Sequence, residues 1–251
     1  MLSEQRYSRI LELLAQNGIV KATDLMREFD VSSETVRRDL FLLEKKGQLK
    51  RVYGGAVANV TSSPPFDVRA RDMRPQKEEI ARKAISLISD GDIIAIDSGT
   101  TGLIMSELLL QEEKRITVIT HSLVAFQTLV QSPYIKVYLT GGEYMAEESA
   151  LCGIIAEDNI KDFHVNKVFL CPSGVSLTHG YTDFFSQLAS VSRSYLSIAD
   201  KAIYLVDSSK FEHAEFMKIR EARSGDVIIT DSELSDELYK QYEQREIKVL
   251  K

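Results

Sequence analysis

Cysteine, tryptophan and proline are scarce in this chain of 251 residues, which contains two, none and five of them. The two cysteines, Cys152 and Cys171, are too few for a disulfide framework or a four-cysteine zinc cluster, so we expect them to act as small buried hydrophobic side chains in a reducing compartment. With 44% hydrophobic and 27% charged residues, the composition also excludes a collagen-like, disordered or low-complexity chain. A folded globular protein is expected.

Long apolar runs are also lacking. No run approaches the roughly 18 residues that a membrane-spanning helix needs, and residues 1–7 lack the basic region and apolar segment that open a signal peptide. We therefore predict a cytoplasmic protein with no membrane partner. No histidine pair has metal-ligand spacing, so neither a metal nor another cofactor is predicted.

Charge is unevenly distributed along the chain. The formal net charge is −6, but residues 1–57 hold ten Lys and Arg against eight Asp and Glu, a net +2, whereas residues 58–251 hold 21 against 29, a net −8. The overall balance excludes a protein that coats nucleic acid or membrane with its whole surface. The small excess of basic residues lies in the N-terminal 57 residues.

The first 57 residues predict a compact unit of three short helices and a hairpin. Apolar residues recur at helical spacing within residues 3–17. Thr23 is predicted to cap a second helix, and Ser32-Ser33 to cap a third that ends at Lys45-Lys46-Gly47. Residues 48–57 alternate apolar and basic side chains and break at a Gly-Gly pair, which predicts a wing.

The third helix has the layout of a DNA-reading helix. Val36, Leu40 and Leu43 share its inner face, which leaves arginines and hydroxyls toward solvent, where Arg forks onto guanine or pairs with phosphate. A solvated helix face in a small interaction domain is the alternative, but the order of cap, turn, paired arginines and wing favours DNA. The DNA-contact candidates are Thr23, Ser32, Ser33, Thr35, Arg37, Arg38, Lys50 and Arg51.

The rest of the chain predicts a linker and an α/β domain. Residues 58–75 are polar without a sustained period and form the predicted linker. In residues 76–251, short β-branched runs alternate with helical stretches, which describes a mostly parallel sheet covered on both faces. The runs are Ile93–Ile96, Ile116–Ile119, Ile135–Leu139, Lys167–Cys171, Ala202–Val206 and Val227–Ile229.

Polar clusters follow several of these predicted strands. Ligands of open parallel sheets bind beyond the carboxyl ends of the strands, so we expect the clusters to converge on one crevice. Residues 98–101 open a helix, whose free N–H groups and hydroxyls suit an anion such as phosphate, and Lys210 follows another strand. An ordinary helix cap and a surface lysine are the alternatives for these two features. The clusters are residues 97–101, 120–122, 140–142, 172–174 and 207–210.

Several of these segments resemble the DeoR family of bacterial sugar-metabolism regulators. The signature VSSETVRRDL at residues 31–40 is highly specific, and the likeness covers nearly the whole chain. It implies an N-terminal winged helix-turn-helix and a C-terminal domain similar in fold to ribose-5-phosphate isomerase. It also implies an effector, a phosphorylated sugar or polyol, that usually releases the protein from its operator. The resemblance rests on residues 31–40, 43–47, 52–56, 97–101, 140–142 and 207–211.

The resemblance extends the list of candidate effector-binding residues. The sequence departs from the family pattern at His121, where Asn is usual, at Asn166, where Asp is usual, and in the helix that carries Leu188 and Ser192. His121 is either a neutral group that bonds the ligand or a packing histidine. The effector-binding candidates are Asp97, Ser98, Gly99, Thr100, Thr101, His121, Gly141, Gly142, Ser173, Gly174, Arg193 and Lys210.

These features predict a transcriptional regulator with operator DNA, a phosphorylated effector and further copies of itself as partners. One helix-turn-helix reads few base pairs, so a dimer or tetramer is expected. A repressor of a carbohydrate-utilisation operon is the main prediction and an activator the alternative. A phosphosugar isomerase needs a carboxylate base. Residues 171–176 contain none and Asn166 removes another. Asp97 remains, but the resemblance makes it a pocket residue of a sensor, so no enzymatic activity is predicted.

Overall fold

The computed structural model describes residues 3–17, 19–45, 48–58 and 65–251. The chain forms two compact units, Met1–Pro65 and Phe66–Lys251. The helix stop predicted at Lys46-Gly47 and residues 59–64 of the predicted linker lie outside the described residues. No helix within the described ranges combines the length and the apolar character needed to cross a membrane.

The first unit is a helix-turn-helix with a three-stranded antiparallel sheet. The sheet has the order β1-β3-β2. Ile10, Leu25, Val36 and Leu43 are buried in one core with other apolar residues of the helices and strands. The elements are α1 Ser3–Asn17, β1 Ile19–Lys21, α2 Ala22–Phe29, α3 Ser33–Lys45, β2 Leu49–Val52 and β3 Gly55–Ala58.

The structure corrects the predicted start of α2. Lys21, not Thr23, is the residue before the helix, and its side chain makes no capping hydrogen bond. The backbone N–H of Ala22 instead donates to the carbonyl of Gly54 at 2.8 Å, in the turn between β2 and β3. Because the wing satisfies this terminal N–H group, the helix begins without the side-chain cap that local sequence rules require.

The second unit begins inside the predicted linker. Residues 66–71 form α4, Phe66–Arg71, and α5 spans Arg74–Ser86, so the linker prediction is wrong for these residues. Pro75, which the sequence analysis placed in the linker, lies in the first turn of α5. Proline is well tolerated there because the first N–H groups of a helix have no partner within the helix.

The remaining elements alternate along the chain, and the predicted α/β class is confirmed. Each predicted strand run coincides with a strand or overlaps one, and three runs agree in both ends: residues 93–96, 135–139 and 227–229. The elements are β4 Ile93–Ile96, α6 Thr100–Leu109, β5 Ile116–Thr120, α7 Leu123–Leu129, β6 Ile135–Leu139, β7 Glu143–Met145, β8 Ala150–Cys152, α8 Ile154–Lys161, β9 Val165–Leu170, β10 Gly174–Ser176, β11 Gly180–Asp183, α9 Ser186–Ile198, β12 Ala199–Leu205, β13 Met217–Arg220, β14 Val227–Ile229, α10 Asp236–Glu243 and β15 Lys248–Leu250.

Seven of these strands form one parallel sheet with the order β15-β14-β12-β9-β4-β5-β6. Successive strand residues point to opposite faces, so Ile94 and Ile96 join the core cluster against α5 and α6, whereas Ala95 joins the cluster against α8 and α9. Strand order runs in opposite directions on either side of the β4–β9 pair. This reversal leaves a crevice beyond the carboxyl ends of β4 and β9.

Candidate functional site

The exposed face of α3 carries the predicted DNA-contact side chains. Ser33, Arg37 and Arg38 are exposed and Thr35 is partly buried, while Val36, Leu40 and Leu43 are buried in the core. The Ser32 hydroxyl accepts a hydrogen bond from the Thr35 N–H at 3.3 Å, so Ser32 caps the helix as predicted. This arrangement presents the first turns of α3 and both arginines on one free surface.

An ion pair that the sequence analysis did not foresee holds α3 against α1. Arg6 of α1 donates to both carboxylate oxygens of Asp39, at 2.7 and 3.2 Å. The Asp39 side chain is only 4% exposed. The core face of α3 therefore includes a buried charge, one position beyond the two exposed arginines.

The wing carries the two predicted basic residues on β2, and they differ in their surroundings. Lys50 is exposed. Arg51 donates to Glu44 at 2.6 Å and lies over the ring of Phe41, which fixes its guanidinium against α3. Thr23, the remaining candidate, is exposed on α2.

In the second unit a pocket lies beyond the carboxyl ends of β4 and β9, at the point where the strand order reverses. Its walls come from segments far apart in the sequence. The predicted residues that line it are Asp97, Ser98, Gly99, Thr100, Thr101, Ser173 and Lys210. The lining residues that the sequence analysis missed are Arg69, Glu148, Cys171, Asp183 and Leu188.

The loop between β4 and α6 has the geometry of an anion cradle. Gly99 precedes the helix with φ 115°, and a Cβ there would lie 3.0 Å from Cβ of Cys171, so glycine suits both the backbone conformation and the close approach. Thr101 is 1% exposed. Its hydroxyl has no hydrogen-bond partner among the described residues, and it lies in the first helical turn, where backbone N–H groups have no partner within the helix.

Lys210 supplies a positive charge on the opposite wall. Its ammonium donates to the carbonyl of Pro172 at 3.3 Å and lies 3.6 Å from Asp207. These contacts orient the side chain, which is 25% exposed. An anion in the pocket would therefore meet the α6 N-terminus and an ammonium group together.

Asp97 is fixed at the base of the pocket by three donors. Its carboxylate accepts hydrogen bonds from the N–H groups of Ser98 and Cys171, at 3.0 and 3.2 Å, and from the Ser192 hydroxyl at 3.3 Å. Burial nevertheless dominates and raises the pKa of Asp97 to about 7. A buried carboxyl with polar partners suits sugar hydroxyls better than a phosphate.

Asp183 adds a second buried carboxyl to the same pocket. Burial raises the pKa of Asp183 to about 7, and the nearby Asp97 and Glu148 charges act in the same direction. Residues 171–176 and Asn166 supply no carboxylate, as the sequence shows, and Asp183 of β11 is a pocket carboxyl that the sequence analysis did not foresee. Asn166 lies near the amino end of β9, where its side chain accepts a hydrogen bond from Ile93, remote from the carboxyl ends of the strands.

His121 lies next to Asp97 and does not line the pocket. It is fully buried, with Nε2 3.7 Å from an Asp97 oxygen and Nδ1 3.4 Å from the Tyr195 hydroxyl. Burial lowers the pKa of His121 to about 3, so the ring is neutral. The structure thus gives it the surroundings of a packing histidine.

Four further candidates also stand outside the pocket lining. Gly141 and Gly142 form the turn after β6 with positive φ, and a Cβ on Gly142 would lie 2.5 Å from the Cys152 carbonyl. A Cβ on Gly174 would lie 2.5 Å from the His213 carbonyl. Arg193 donates to the Lys218 carbonyl at 2.7 Å. Their glycine or arginine identity is explained by local packing.

Two of the positions that depart from the family pattern face the pocket region. Leu188 lines the pocket, and Ser192, one turn further along α9, bonds Asp97. Cys171 is a buried lining residue, and Cys152 is also buried and free. Burial raises the pKa of Cys152 to about 12, so this thiol stays protonated.

Comparison with known families now identifies the class of protein. Residues 6–62 match the DeoR-like helix-turn-helix domain and residues 73–232 match the DeoR C-terminal sensor domain. The chain belongs to the DeoR family and is a helix-turn-helix transcriptional regulator, not an enzyme. Its first domain is the DNA-binding domain and its second the sensor domain.

Individual relatives align with this chain along nearly their whole length. The lactose phosphotransferase system repressor of Lactococcus lactis is 35% identical and matches over 97% of both chains. The L-fucose operon activator of Haemophilus influenzae is 32% identical over 95% of this chain and 96% of its own. A ribose 5-phosphate isomerase from Methanocaldococcus jannaschii is similar to 55% of this chain, with 54% of its own covered, 19% identity and a TM-score of 0.41.

Proposed function

We propose that this regulator represses a carbohydrate-utilisation operon and that a phosphorylated sugar or polyol releases it from DNA. The observation that carries this proposal is the convergence of the 97–101 loop and Lys210 on one pocket of a DeoR sensor domain. Repression follows the L. lactis relative. Activation is the alternative, because the H. influenzae relative is named an activator.

We infer that α3 reads the operator in the major groove. Ser33, Thr35, Arg37 and Arg38 are the base- and phosphate-contact candidates, since they share the open face of the helix. Ser32, Thr23 and Lys50, which are exposed, are proposed to contact the DNA backbone. Arg51 acts through the wing, because Glu44 already holds its guanidinium.

We infer that the effector phosphate lies at the N-terminus of α6. The N-terminus of a helix, the Thr101 hydroxyl and the Lys210 ammonium all suit a dianion. The sugar hydroxyls then face Asp97 and Asp183, because a carboxylate next to the phosphate would be repelled. Ser173 of the facing loop completes the pocket wall.

The protein is proposed to act as a dimer or tetramer in the cytoplasm, where its operator is. One reading helix covers only a few base pairs, so specificity requires a second half-site. Mass photometry of the full chain at saturating protein on a selected DNA site measures this directly. A single copy on the DNA would contradict the oligomer.

A thermal-shift screen of sugar and polyol phosphates tests the pocket. An effector at 100 times its Kd should stabilise the native state by about 2.7 kcal/mol. Thr101→Ala and Lys210→Ala should remove that stabilisation and the effector's release of DNA in a mobility-shift titration, while DNA binding itself survives.

Thr128→Ala and Lys201→Ala are the matched controls, since Thr128 bonds its own helix and Lys201 is exposed on β12. Both should respond like the wild type. If Thr101→Ala and Lys210→Ala also respond normally, the phosphate site lies elsewhere and the 97–101 loop is an ordinary helix cap.

A further inference from the structure

The short helix α4 forms part of the pocket wall and is the first element of the sensor unit. It begins at Phe66, directly after the boundary between the two units. None of its six residues is fully buried, and a helix of this length is unstable by itself. Besides its packing against α6, its position therefore depends on polar contacts.

Two cations make those contacts. Arg69 of α4 donates to the Glu148 carboxylate at 2.6 Å, with the Glu148 side chain only 5% exposed. From α5, the buried Lys77 ammonium donates to the carbonyls of Arg69 and Asp72 at 2.5 and 2.6 Å. These carbonyls are at the end of α4, where helical partners are lacking. Lys77 thus holds the end of the helix, and Arg69 connects it to the pocket.

Glu148 places an anion in a pocket that we assign to an anionic ligand. Arg69, Glu148 and Lys210 all line this pocket. A guanidinium pairs with phosphate at least as well as with a carboxylate, through two parallel hydrogen bonds. The bound phosphate and the Glu148 carboxylate therefore compete for Arg69.

We propose that Arg69 exchanges its partner, from Glu148 in the free protein to the phosphate of the bound effector. This exchange repositions α4 and so carries the state of the pocket to the segment that leads to the DNA-binding unit. A ligand shifts a conformational equilibrium only when it binds two states differently, and the exchange of partner provides that difference. The inference rests on the phosphate site proposed above.

Hydrogen exchange of the full-length protein tests the proposal, with inorganic phosphate as the probe and chloride at equal ionic strength as the reference. Saturating phosphate should change the exchange rate of amides in residues 66–72 at least twofold in the wild type and in Arg71→Ala. Arg71 is the control because it is exposed on the same helix. Arg69→Ala should show no such change, and Arg69→Lys, which keeps the charge without the fork, should show a reduced one.

Glu148→Gln tests the competing anion. Removing this charge should tighten phosphate binding about tenfold by calorimetry and should alter exchange in residues 66–72 even without phosphate. Glu147→Gln is the matched control, since Glu147 is exposed in the same turn, and it should behave like the wild type. Equal phosphate affinity in the two variants would overturn the proposal, provided both melt cooperatively; if Glu148→Gln does not fold, the arginine variants decide the question.

Different results would reject the phosphate site and the partner exchange of Arg69. If phosphate does not stabilise the wild type, or stabilises Thr101→Ala equally, the proposed phosphate site is wrong and the partner exchange falls with it. If phosphate binds in a Thr101-dependent way but leaves exchange in residues 66–72 unchanged, the pocket assignment stands and the exchange of Arg69 alone is rejected.

Discussion

The two units of this regulator place their functional residues in opposite ways. In the DNA-binding unit seven of the eight candidates are exposed and Thr35 is partly buried, and half of the candidates lie on α3, whose other face is core. In the sensor unit, candidates such as Asp97 and Thr101 are buried, and they meet residues from distant segments at the edge of a parallel sheet.

In the DNA-binding unit, different residues therefore serve folding and function. In the sensor unit, the same residues serve both. On α3, Val36 and Leu40 are buried in the core, while Arg37 and Arg38, the proposed DNA contacts, are exposed. In the pocket, Asp97 both bonds two backbone N–H groups and faces the candidate ligand. Substitutions should therefore affect stability and binding separately in the first unit and jointly in the second.

The largest stability effect is expected at Asp39, a charged residue that is buried on the core face of α3. Asp39→Ala removes the buried carboxylate that Arg6 bonds, and removing one member of a buried ion pair costs about 3–5 kcal/mol. Hydrogen exchange of α1 and α3 amides measures the loss, with the exposed Glu34→Ala as the control on the same helix. Equal protection in the two variants would show that the ion pair contributes nothing.

Adjacent glycines after β6 provide the next test. Gly142→Ala brings a Cβ to 2.5 Å from the Cys152 carbonyl at φ 123°, whereas Gly141→Ala at φ 78° meets only the Asn159 amide at 3.6 Å. We expect losses of about 2–3 kcal/mol for Gly142→Ala and about 1 kcal/mol for Gly141→Ala in urea unfolding. The opposite order would show that the close approach to the Cys152 carbonyl is not what requires glycine at position 142.

The pocket carboxyls should make stability depend on pH. With its pKa raised from 3.8 to about 7 by burial, folded Asp183 binds a proton that the unfolded chain has released, so wild-type stability falls as pH rises from about 4 to 7. Asp183→Asn removes the contribution of Asp183, while that of Asp97, whose pKa is also raised to about 7, remains. The gain of Asp183→Asn should be absent below pH 4 and about 2 kcal/mol at pH 8 by urea unfolding, and a gain independent of pH would exclude ionisation as the cause.

The smallest effects on stability are expected at the arginines of α3. Arg37→Ala and Arg38→Ala should change unfolding by less than about 0.5 kcal/mol, yet weaken binding to DNA selected from a random pool by about tenfold, or 1.4 kcal/mol. A base contact relaxes specificity at one position, whereas a phosphate contact lowers the salt slope by about one. Unchanged affinity and slope in both variants would remove α3 from the DNA interface.

Local sequence rules predicted the structure correctly where all the residues that determine an element lie in one segment. The spacing of Val36, Leu40 and Leu43 identified both the core and the exposed faces of α3, and β-branched runs located six of the twelve strands described in the second unit. The same rules placed the start of α2 at Thr23 because they did not anticipate the hydrogen bond between Ala22 and Gly54 across the wing. They also assigned α4 to the linker, because residues 58–75 are polar and show no sustained period. This polar character agrees with the structure, in which none of the α4 residues is fully buried.

The sequence by itself determined the order of domains, the reading helix and the 97–101 loop, because periodicity, caps and glycines act over a few residues. Only the tertiary structure decided which polar residues share the pocket. It brought in Arg69, Glu148 and Asp183 and left Arg193 outside. These groups come from separate segments, and their proximity depends on the strand order of the sheet, which no local pattern encodes.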